Sequence, residues 1–134
     1  MKLGFIGTGK IASSVIQGIS KSKINYKRIT VSPRNKKVAN HLKKRLKKIV
    51  IAKNNQEIIN NSDWIFLCVT PIVGKRIIKD LDFKRSKIII SFISTINLFE
   101  LKKLTKSKKP IIRAIPLPPI SLKKGPIPIF PPNK

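Results

Sequence analysis

Short runs of apolar residues alternate with amphipathic stretches along most of the chain, from Met1 to about Ala114. The short runs have the length of buried strands, and the longer stretches repeat apolar residues at the spacing of a helix. The predicted strands are Leu3–Ile6, Arg28–Val31, Ile49–Ala52, Trp64–Val69, Lys87–Phe92 and Ile111–Ala114. The predicted helices are Lys10–Ser20, Lys36–Leu46, Gln56–Asn61, about ten residues from Pro71, and Leu98–Leu104.

The apolar positions also predict which side of each helix is buried. They are Ile11, Val15 and Ile19 in the first helix, Val38, Leu42 and Leu46 in the second, and Ile72, Val73, Ile77 and Ile78 in the fourth. The third helix is expected to begin at a cap formed by Asn54 or Asn55. Parallel strands need crossover connections, which these helices supply. The sequence therefore predicts an α/β fold with a doubly wound parallel sheet, in a three-layer αβα arrangement, as one domain over residues 1–115.

The first strand runs directly into Gly7-Thr8-Gly9-Lys10-Ile11-Ala12, a G-x-G-x-x-A turn that opens a helix. A strand before this turn and a helix after it are typical of dinucleotide-binding, Rossmann-type folds. Gly7 permits the tight turn, Gly9 lets the backbone approach a pyrophosphate, and the small Ala12 lets the helix pack closely on the strand. Backbone N–H groups of the first helical turn would face the anion. An ordinary strand-to-helix turn is the alternative interpretation.

The residues after the second strand indicate which dinucleotide fits. NAD-binding domains usually carry Asp or Glu there, about 20 residues after the glycines, whereas a 2′-phosphate requires a cation instead. This chain has Ser32-Pro33-Arg34-Asn35. A hydroxyl from Ser32 and a bidentate pair from Arg34 suit a phosphate, and Asn35 with the following Lys36 and Lys37 adds donors at a helix start. NADP (NADPH) is therefore the predicted cofactor. The alternative is a simple polar turn, because Pro and Asn are common turn residues.

The chain is strongly basic. Its 134 residues, 41% of them hydrophobic, suffice for one sizeable core and carry a formal net charge of +25 from 24 Lys and 6 Arg against five carboxylates. Such a charge attracts anionic ligands and would suit a polyanion such as nucleic acid. Base recognition, however, favours arginine and aromatic residues, of which this chain has few. Sequence-specific nucleic-acid binding is not expected, and a solvated lysine-rich surface is the simpler interpretation.

Other classes of chemistry find little support. The apolar runs are too short for a membrane span and the N-terminus lacks a signal pattern, so we expect no membrane partner and a cytoplasmic location. Cys68 is the only cysteine, which excludes an internal disulfide and a cysteine-based metal site. His41 lies in the lysine-rich helix and is expected to have a surface or semi-buried structural role. The carboxylates form no pair at a strand end, so no metal site is predicted and the catalytic residue stays unassigned.

The composition changes at Pro116. Seven prolines occur in the nineteen residues from Pro116 to Lys134, and neither a helical nor a strand period is visible there. Residues 116–134 are therefore predicted to be a proline-rich tail, or a truncated connection to a C-terminal domain that this chain lacks.

Several segments together resemble the N-terminal NADP-binding domain of the pyrroline-5-carboxylate reductase family. They are Met1–Ile19, Val31–Asn35, Ser62–Pro71 and Arg113–Pro116. The resemblance implies that residues 7–12 hold the pyrophosphate, that Ser32 and Arg34 hold the adenosine phosphate, and that Asn55 lies near the adenosine. It also implies that Val69-Thr70-Pro71 pass beneath the nicotinamide ribose. Relatives that reduce other imines, and the deazaflavin-dependent NADP reductases, share the same fold and glycine turn.

The chain departs from the family pattern at three places on the nicotinamide side. Thr70 stands where the family commonly has Lys, and Phe92-Ile93-Ser94-Thr95 replaces a stretch of small residues. Leu117-Pro118 replaces Asn-Thr, and Leu117 cannot form the hydrogen bonds of an asparagine.

The resemblance implies an NADP-dependent oxidoreductase that transfers hydride from NADPH to the C=N bond of a small imino acid, as in proline biosynthesis. Family members carry a helical C-terminal domain that dimerises and supplies most of the substrate site. This chain would therefore work with a separate helical partner or as a homo-oligomer. Two alternatives stay open: a non-catalytic NADP-binding module, and a basic interaction protein that binds nucleic acid or an acidic partner.

Overall fold

The computed structural model describes residues 1–84 and 88–130 of the chain. Its strands are β1 Lys2–Ile6, β2 Arg28–Val31, β3 Ile49–Ile51, β4 Trp64–Leu67, β5 Ile88–Ser91, β6 Ile111–Ala114 and β7 Ile129–Phe130. Its α-helices are α1 Lys10–Ser20, α2 Lys36–Arg45, α3 Asn55–Asn60, α4 Pro71–Ile77 and α5 Leu98–Thr105. Two 3₁₀ helices cover Ile78–Asp80 and Pro118–Leu122. Of the predicted fifth strand, Lys87 lies outside the described residues, as do residues 131–134 of the predicted tail.

Within the described residues, seven strands form one sheet in the order β3-β2-β1-β4-β5-β6-β7. The first six run parallel, and β7 is antiparallel to β6. The order of the parallel strands is that of doubly wound dinucleotide-binding folds, so the predicted Rossmann-type sheet is confirmed. The order reverses between β1 and β4, where Ile6 lies beside Leu67. Ligands of such sheets bind beyond the carboxyl ends of the strands at this reversal.

Two apolar layers cover the two faces of the sheet. One layer contains Phe5 and Phe66, whose rings stack with centroids 4.4 Å apart, together with Ala12 and Ile16 of α1. The opposite layer is built mainly from isoleucine and leucine side chains. Its fully buried members are Ile6, Ile58, Ile59, Ile65, Leu67, Ile78, Ile89, Ile96, Leu101 and Ile111. Burial on both faces explains why β4 is apolar without interruption.

Polar side chains cap the starts of four helices. Asn35 caps α2, Thr70 caps α4 and Asn97 caps α5, each by accepting a hydrogen bond from a backbone N–H of the first turn. For α3 the cap is Asn54 and not Asn55, because Asn54 Oδ1 accepts from Glu57 N at 2.9 Å. Helix α1 differs from these four, since Gly9 stands at its cap position and no side chain caps it.

The buried helix faces are rotated from the predicted ones in two places. In α1 the most buried side chains include Ala12 and Ile16, whereas Ile11 and Ile19 are partly buried. The prediction that Ile72 faces the core is wrong, because its side chain is 82% exposed. Successive positions of a helix turn by 100°, so Ile72 lies opposite Gly74, the buried residue of this short helix.

Residues 116–130 contain regular structure that the sequence pattern does not predict. The 3₁₀ helix packs on α1 at Gly18, where an added Cβ would lie 2.3 Å from the Ile120 carbonyl oxygen. Lys21 Nζ donates to the Ser121 carbonyl at 3.1 Å. Strand β7 then pairs with β6. The segment therefore returns across α1 to the edge of the sheet, and glycine at position 18 makes this close backbone approach possible.

Candidate cofactor-binding site

The turn between β1 and α1 depends on glycine at position 7. Gly7 has φ of 99°, and a Cβ there would lie 2.6 Å from the Cys68 carbonyl oxygen. Both the left-handed backbone and the close approach of the residue that follows β4 therefore exclude a larger side chain. The predicted reason for Gly7, a tight turn, agrees with this geometry.

The start of α1 presents polar groups to open space. A Cβ added at Gly9 would meet no atom within 4 Å, so the space in front of this glycine is open. The N–H groups of the first helical turn receive no side-chain cap. Thr8 is only 4% exposed, and its buried Oγ1 has no hydrogen-bond partner. A bound anion would satisfy both the helix start and the Thr8 hydroxyl, and these features therefore fit a dinucleotide pyrophosphate.

A cavity of about 530 Å³, here named the first cavity, opens beside this turn at the carboxyl ends of β1, β2 and β4. It contains seven of the residues that the sequence assigns to the cofactor, namely Gly7, Thr8, Ser32, Arg34, Asn35, Asn55 and Val69. Lys36, Val73 and Ile77 complete its lining. The sequence thus predicts most of this wall.

Positive charge marks the end of the first cavity beyond β2. Arg34 and Lys36 both line it and are exposed. The first carboxylate of the sequence is Glu57, so no acidic side chain from β1, β2 or α2 opposes this charge. The side chain of Asn35 has a further structural role, because its Oδ1 accepts from Val38 N at 3.3 Å and caps α2. The end of β2 therefore suits a phosphate and lacks the acid that would bind a ribose hydroxyl.

Ser32 and Asn55 meet in this wall. The Ser32 hydroxyl donates to Asn55 Oδ1 at 2.9 Å. A hydroxyl has one proton, so in this arrangement Ser32 does not donate to a phosphate oxygen as the sequence predicts. Its hydrogen bond instead orients the Asn55 side chain, so of the two residues predicted to bind the phosphate, Arg34 is the one that this arrangement leaves for that role.

A second cavity, of about 350 Å³, lies on the other side of the strand reversal, at the carboxyl ends of β4, β5 and β6. The predicted residues Gly9, Lys10, Ile11, Val69 and Thr70 line it together with Cys68, Phe92, Ser94, Ile115 and Pro116. Val69 borders both cavities. The two cavities together therefore cross the sheet from β2 to β6, over the glycine turn.

The walls of the second cavity contain few reactive groups. Burial raises the pKa of the Cys68 thiol well above its usual range, so this side chain is a neutral apolar group near pH 7. Thr70 Oγ1 accepts a 3.5 Å hydrogen bond from Val73 N, at the start of α4. Lys10 is the other titratable residue of this lining. The described lining therefore has no carboxylate or imidazole that could exchange a proton.

Two predicted site residues line neither cavity. Ala12 is 1% exposed and packs in the core, and Pro71 begins α4. The small Ala12 side chain allows α1 to lie against the sheet. The predicted surface position of His41 is correct, because it is exposed on α2.

Other lining residues differ in how far the sequence indicates them. Lys36 is already predicted as an added donor after the phosphate loop, and Pro116 lies in a segment that resembles the known family. Val73 and Ile77 carry no such signal, because their apolar character points to the core. Among the described residues, none of the helices combines the length and the apolar character needed to cross a bilayer.

Comparison with known proteins identifies a family. The sequence model of the family described as NADP oxidoreductase, coenzyme F420-dependent, matches residues 2–95, which cover the glycine turn and both cavity walls up to Ser94. The chain is also similar to pyrroline-5-carboxylate reductase 3 of Danio rerio, with 30% identity over 128 residues. That match covers 93% of this chain and 44% of the relative. The chain thus spans less than half the length of this relative.

Solved structures show the same relationship. The 1-pyrroline-5-carboxylate reductase of Streptococcus pyogenes superposes with a TM-score of 0.82 and 26% identity, over 97% of this chain and 48% of that one. The Plasmodium falciparum pyrroline carboxylate reductase, solved with NADP bound, gives a TM-score of 0.82 with 22% identity, over 98% of this chain and 48% of that one. The latter match shows a shared fold. Both alignments extend beyond residue 95 and so include β6.

Proposed function

Because this chain belongs to the family described as NADP oxidoreductase, coenzyme F420-dependent, we propose that its two cavities together bind one molecule of NADPH. The adenosine half would occupy the first cavity and the nicotinamide half the second, with the pyrophosphate at the start of α1. The single observation that carries this proposal is the open, uncapped start of α1 at Gly9, with the unpartnered Thr8 hydroxyl beside it. An anion at this position would accept hydrogen bonds from the free N–H groups of the first helical turn and from the Thr8 hydroxyl, and so would remove the free-energy cost of leaving them unpaired.

The residues of the first cavity would determine the choice of dinucleotide. Arg34 and Lys36 supply cations for the 2′-phosphate, and Asn55, oriented by Ser32, supplies an amide. A guanidinium forms paired hydrogen bonds with a phosphate and is always charged, so it favours NADPH over NADH.

The proposed reaction is reduction of the C=N bond of a small imino acid, by similarity to the pyrroline-5-carboxylate reductases. NADPH, when bound, supplies the hydride. The second cavity would orient the nicotinamide with Val69, Thr70 and Pro116, and the neutral Cys68 side chain adds no charge to this wall. Reduction also adds a proton to nitrogen, and we propose that solvent or a partner group delivers it. The protein then contributes mainly orientation, because the cofactor carries the chemistry.

The proposed substrate site, at the carboxyl edge of the sheet, requires a further protein surface to enclose it. Exposed apolar side chains lie near the carboxyl edge of the sheet, among them Ile72 at 82%, Phe99 at 68% and Leu117 at 49% exposure. We propose that a separate helical partner or a second copy of the chain covers this edge and completes the substrate site. The chain would act there as the NADPH-binding half.

A non-catalytic NADP-binding module is the second candidate. Leu117, next to Pro116 of the second cavity, cannot form the hydrogen bonds of the asparagine common in the resembled family, and the described lining supplies no general acid. Both observations favour a chain that binds the cofactor without turning it over.

Calorimetry with NADPH and NADH tests the cofactor assignment. Loss of a phosphate contact to arginine corresponds to about tenfold in affinity, so we expect NADPH to bind at least that much more tightly than NADH. Arg34→Ala should reduce this difference, with Lys36 left as the remaining cation. Arg45→Ala is the matched control, because Arg45 lies in α2 and lines neither cavity. Equal binding of both dinucleotides, or unchanged NADPH affinity in Arg34→Ala, would contradict the assignment.

Turnover distinguishes the two candidates. NADPH oxidation with 1-pyrroline-5-carboxylate should be measured for the chain alone and with helical partner domains. Oxidation supports the enzyme, and binding without oxidation in every combination supports the module. Salt-sensitive DNA binding without NADPH affinity would instead favour the basic interaction protein.

A further inference from the structure

Arg113 connects the last strand of the sheet to the wall of the second cavity. We propose that Arg113 is a positioning residue, held in place by Phe130 of β7, that fixes the segment around Ser94 and thereby shapes the nicotinamide half of the site. This inference rests on the proposed function. It assigns a role in cofactor binding to β7, a strand outside the part of the chain that the family model matches.

The contact with the cavity wall is direct. Arg113 Nη2 donates a hydrogen bond to the Ser94 carbonyl oxygen. Ser94 lines the second cavity, in the turn that follows β5. This turn is further fixed on its own strand, where Ile93 N donates to Ser91 Oγ at 3.2 Å. The hydrogen bond from Arg113 therefore connects β6 to this turn and fixes the position of the turn's exposed end.

Strand β7 holds Arg113 from the other side. Phe130 lies directly beside Arg113 in the antiparallel register, and the Arg113 guanidinium carbon is 5.5 Å from the centroid of the Phe130 ring. Ile115, another residue of the second cavity, donates its N–H to the Pro128 carbonyl at 3.0 Å. The short β7 segment thus fixes two separate parts of the same wall.

The environment of Arg113 is unfavourable for a residue with a purely structural role. Its Nε is buried and has no hydrogen-bond partner. A buried unpaired donor reduces stability, and an apolar side chain of similar shape would avoid that loss. The guanidinium is nevertheless placed where its planar fork reaches Ser94 and its face lies over an aromatic ring. This geometry is specific to arginine, because lysine has neither the fork nor the flat face.

Two probes separate the halves of the site. Adenosine 2′,5′-bisphosphate carries the groups proposed for the first cavity alone, whereas NADPH extends into both. The ratio of the two affinities therefore reports on the second cavity. A general loss of folding would lower both affinities and leave this ratio unchanged.

Phe130→Ala is the main test, because this side chain is 46% exposed and contributes little to the core. Loss of an exposed cation–π contact corresponds to about a two- to fivefold effect, so NADPH should bind that much more weakly while binding of adenosine 2′,5′-bisphosphate stays unchanged. Arg113→Gln should act in the same direction and more strongly. Ile129→Ala is the matched control, since Ile129 is 60% exposed and pairs with Ala114 instead.

The outcomes are distinct. A selective loss of NADPH affinity in Phe130→Ala, absent in Ile129→Ala, supports the positioning role. Unchanged NADPH affinity in Phe130→Ala, or an equal loss of both ligands, overturns it, whether or not Arg113→Gln folds. Failure of the wild-type chain to bind either ligand is a different result, because it overturns the proposed function itself.

Discussion

The Ser32 hydroxyl donates a 2.9 Å hydrogen bond to Oδ1 of Asn55, joining the end of β2 to the first turn of α3. Ser32 is 4% exposed, so the pair forms part of a largely buried wall of the first cavity. Because the Asn55 carbonyl accepts this bond, its amide nitrogen is the group that remains to donate toward a ligand. The two residues are therefore expected to act on adenosine binding as one unit.

The coupling between these residues predicts non-additive effects. Ser32→Ala and Asn55→Ala should each weaken NADPH binding. The loss of binding free energy in the double variant should be smaller than the sum of the two single losses by about 1 kcal/mol, the usual net value of a hydrogen bond. Calorimetry on the four proteins measures the coupling. Asn40→Ala, at an exposed position of α2, should combine additively with Ser32→Ala. Full additivity of Ser32→Ala with Asn55→Ala would contradict the proposed unit.

Two buried threonine hydroxyls without partners allow a matched comparison. Thr8 lines the first cavity, whereas Thr30 lies within β2 and lines neither cavity. Replacing either residue by valine removes an unpaired polar group and should raise the free energy of unfolding by about 1 kcal/mol. Only Thr8→Val should also weaken NADPH binding, by about tenfold, because only this hydroxyl would contact the cofactor.

Thermal unfolding and NADPH titration of both threonine variants test this prediction. If Thr8→Val gains stability and keeps its full NADPH affinity, the hydroxyl has no part in cofactor binding.

The raised pKa of the Cys68 thiol predicts slow alkylation and a specific pH dependence of stability. Burial raises its folded-state pKa, so at pH 8 the thiolate fraction should lie well below that of a free cysteine, whose pKa is about 8.5. The same shift makes the free energy of unfolding depend on pH. The raised pKa leaves stability intact below about pH 8.5, and stability falls as the pH rises above it, because the unfolded thiol ionises first.

Iodoacetamide modification and pH-dependent unfolding of the wild type and Cys68→Ala measure these effects. The loss of stability above pH 8.5 should be smaller in Cys68→Ala. Rapid modification of the native protein at pH 8 would show that the thiol is not held neutral.

Local patterns predict the parallel part of the fold well. The continuous apolar run of β4 and a cap of α3 at Asn54 or Asn55 are properties of neighbouring residues, and local sequence therefore predicts them. The rotation of α4 is not predicted, since Ile72 and Ile78 have the same chemistry and only packing decides which of them is buried. The contact of the 3₁₀ helix with Gly18 is also missed, because it joins positions 18 and 120 through backbone atoms.

In the candidate site, too, sequence analysis finds the features set by neighbouring residues and misses those set by contacts between distant segments. The glycine turn and Arg34 belong to a local motif with a known spacing, so sequence analysis finds them. The pairing of Ser32 with Asn55 depends on how two loops meet, and the pattern of either loop does not contain this information. The same holds for Arg113 and Ser94, whose contact depends on the alignment of β5 with β6.

Gly9 provides the most direct test of the central claim that a dinucleotide lies against the start of α1. Its φ of −73° is accessible to alanine, and an added Cβ meets no atom within 4 Å, so the folded chain tolerates it apart from a loss of about 1 kcal/mol at the cap position. A bound pyrophosphate would occupy that space. Calorimetric titration of the wild type and Gly9→Ala with NADPH should therefore show clear binding to the wild type and at least about tenfold weaker binding to the variant. Equal NADPH affinity in both proteins, with both folded, would contradict the account.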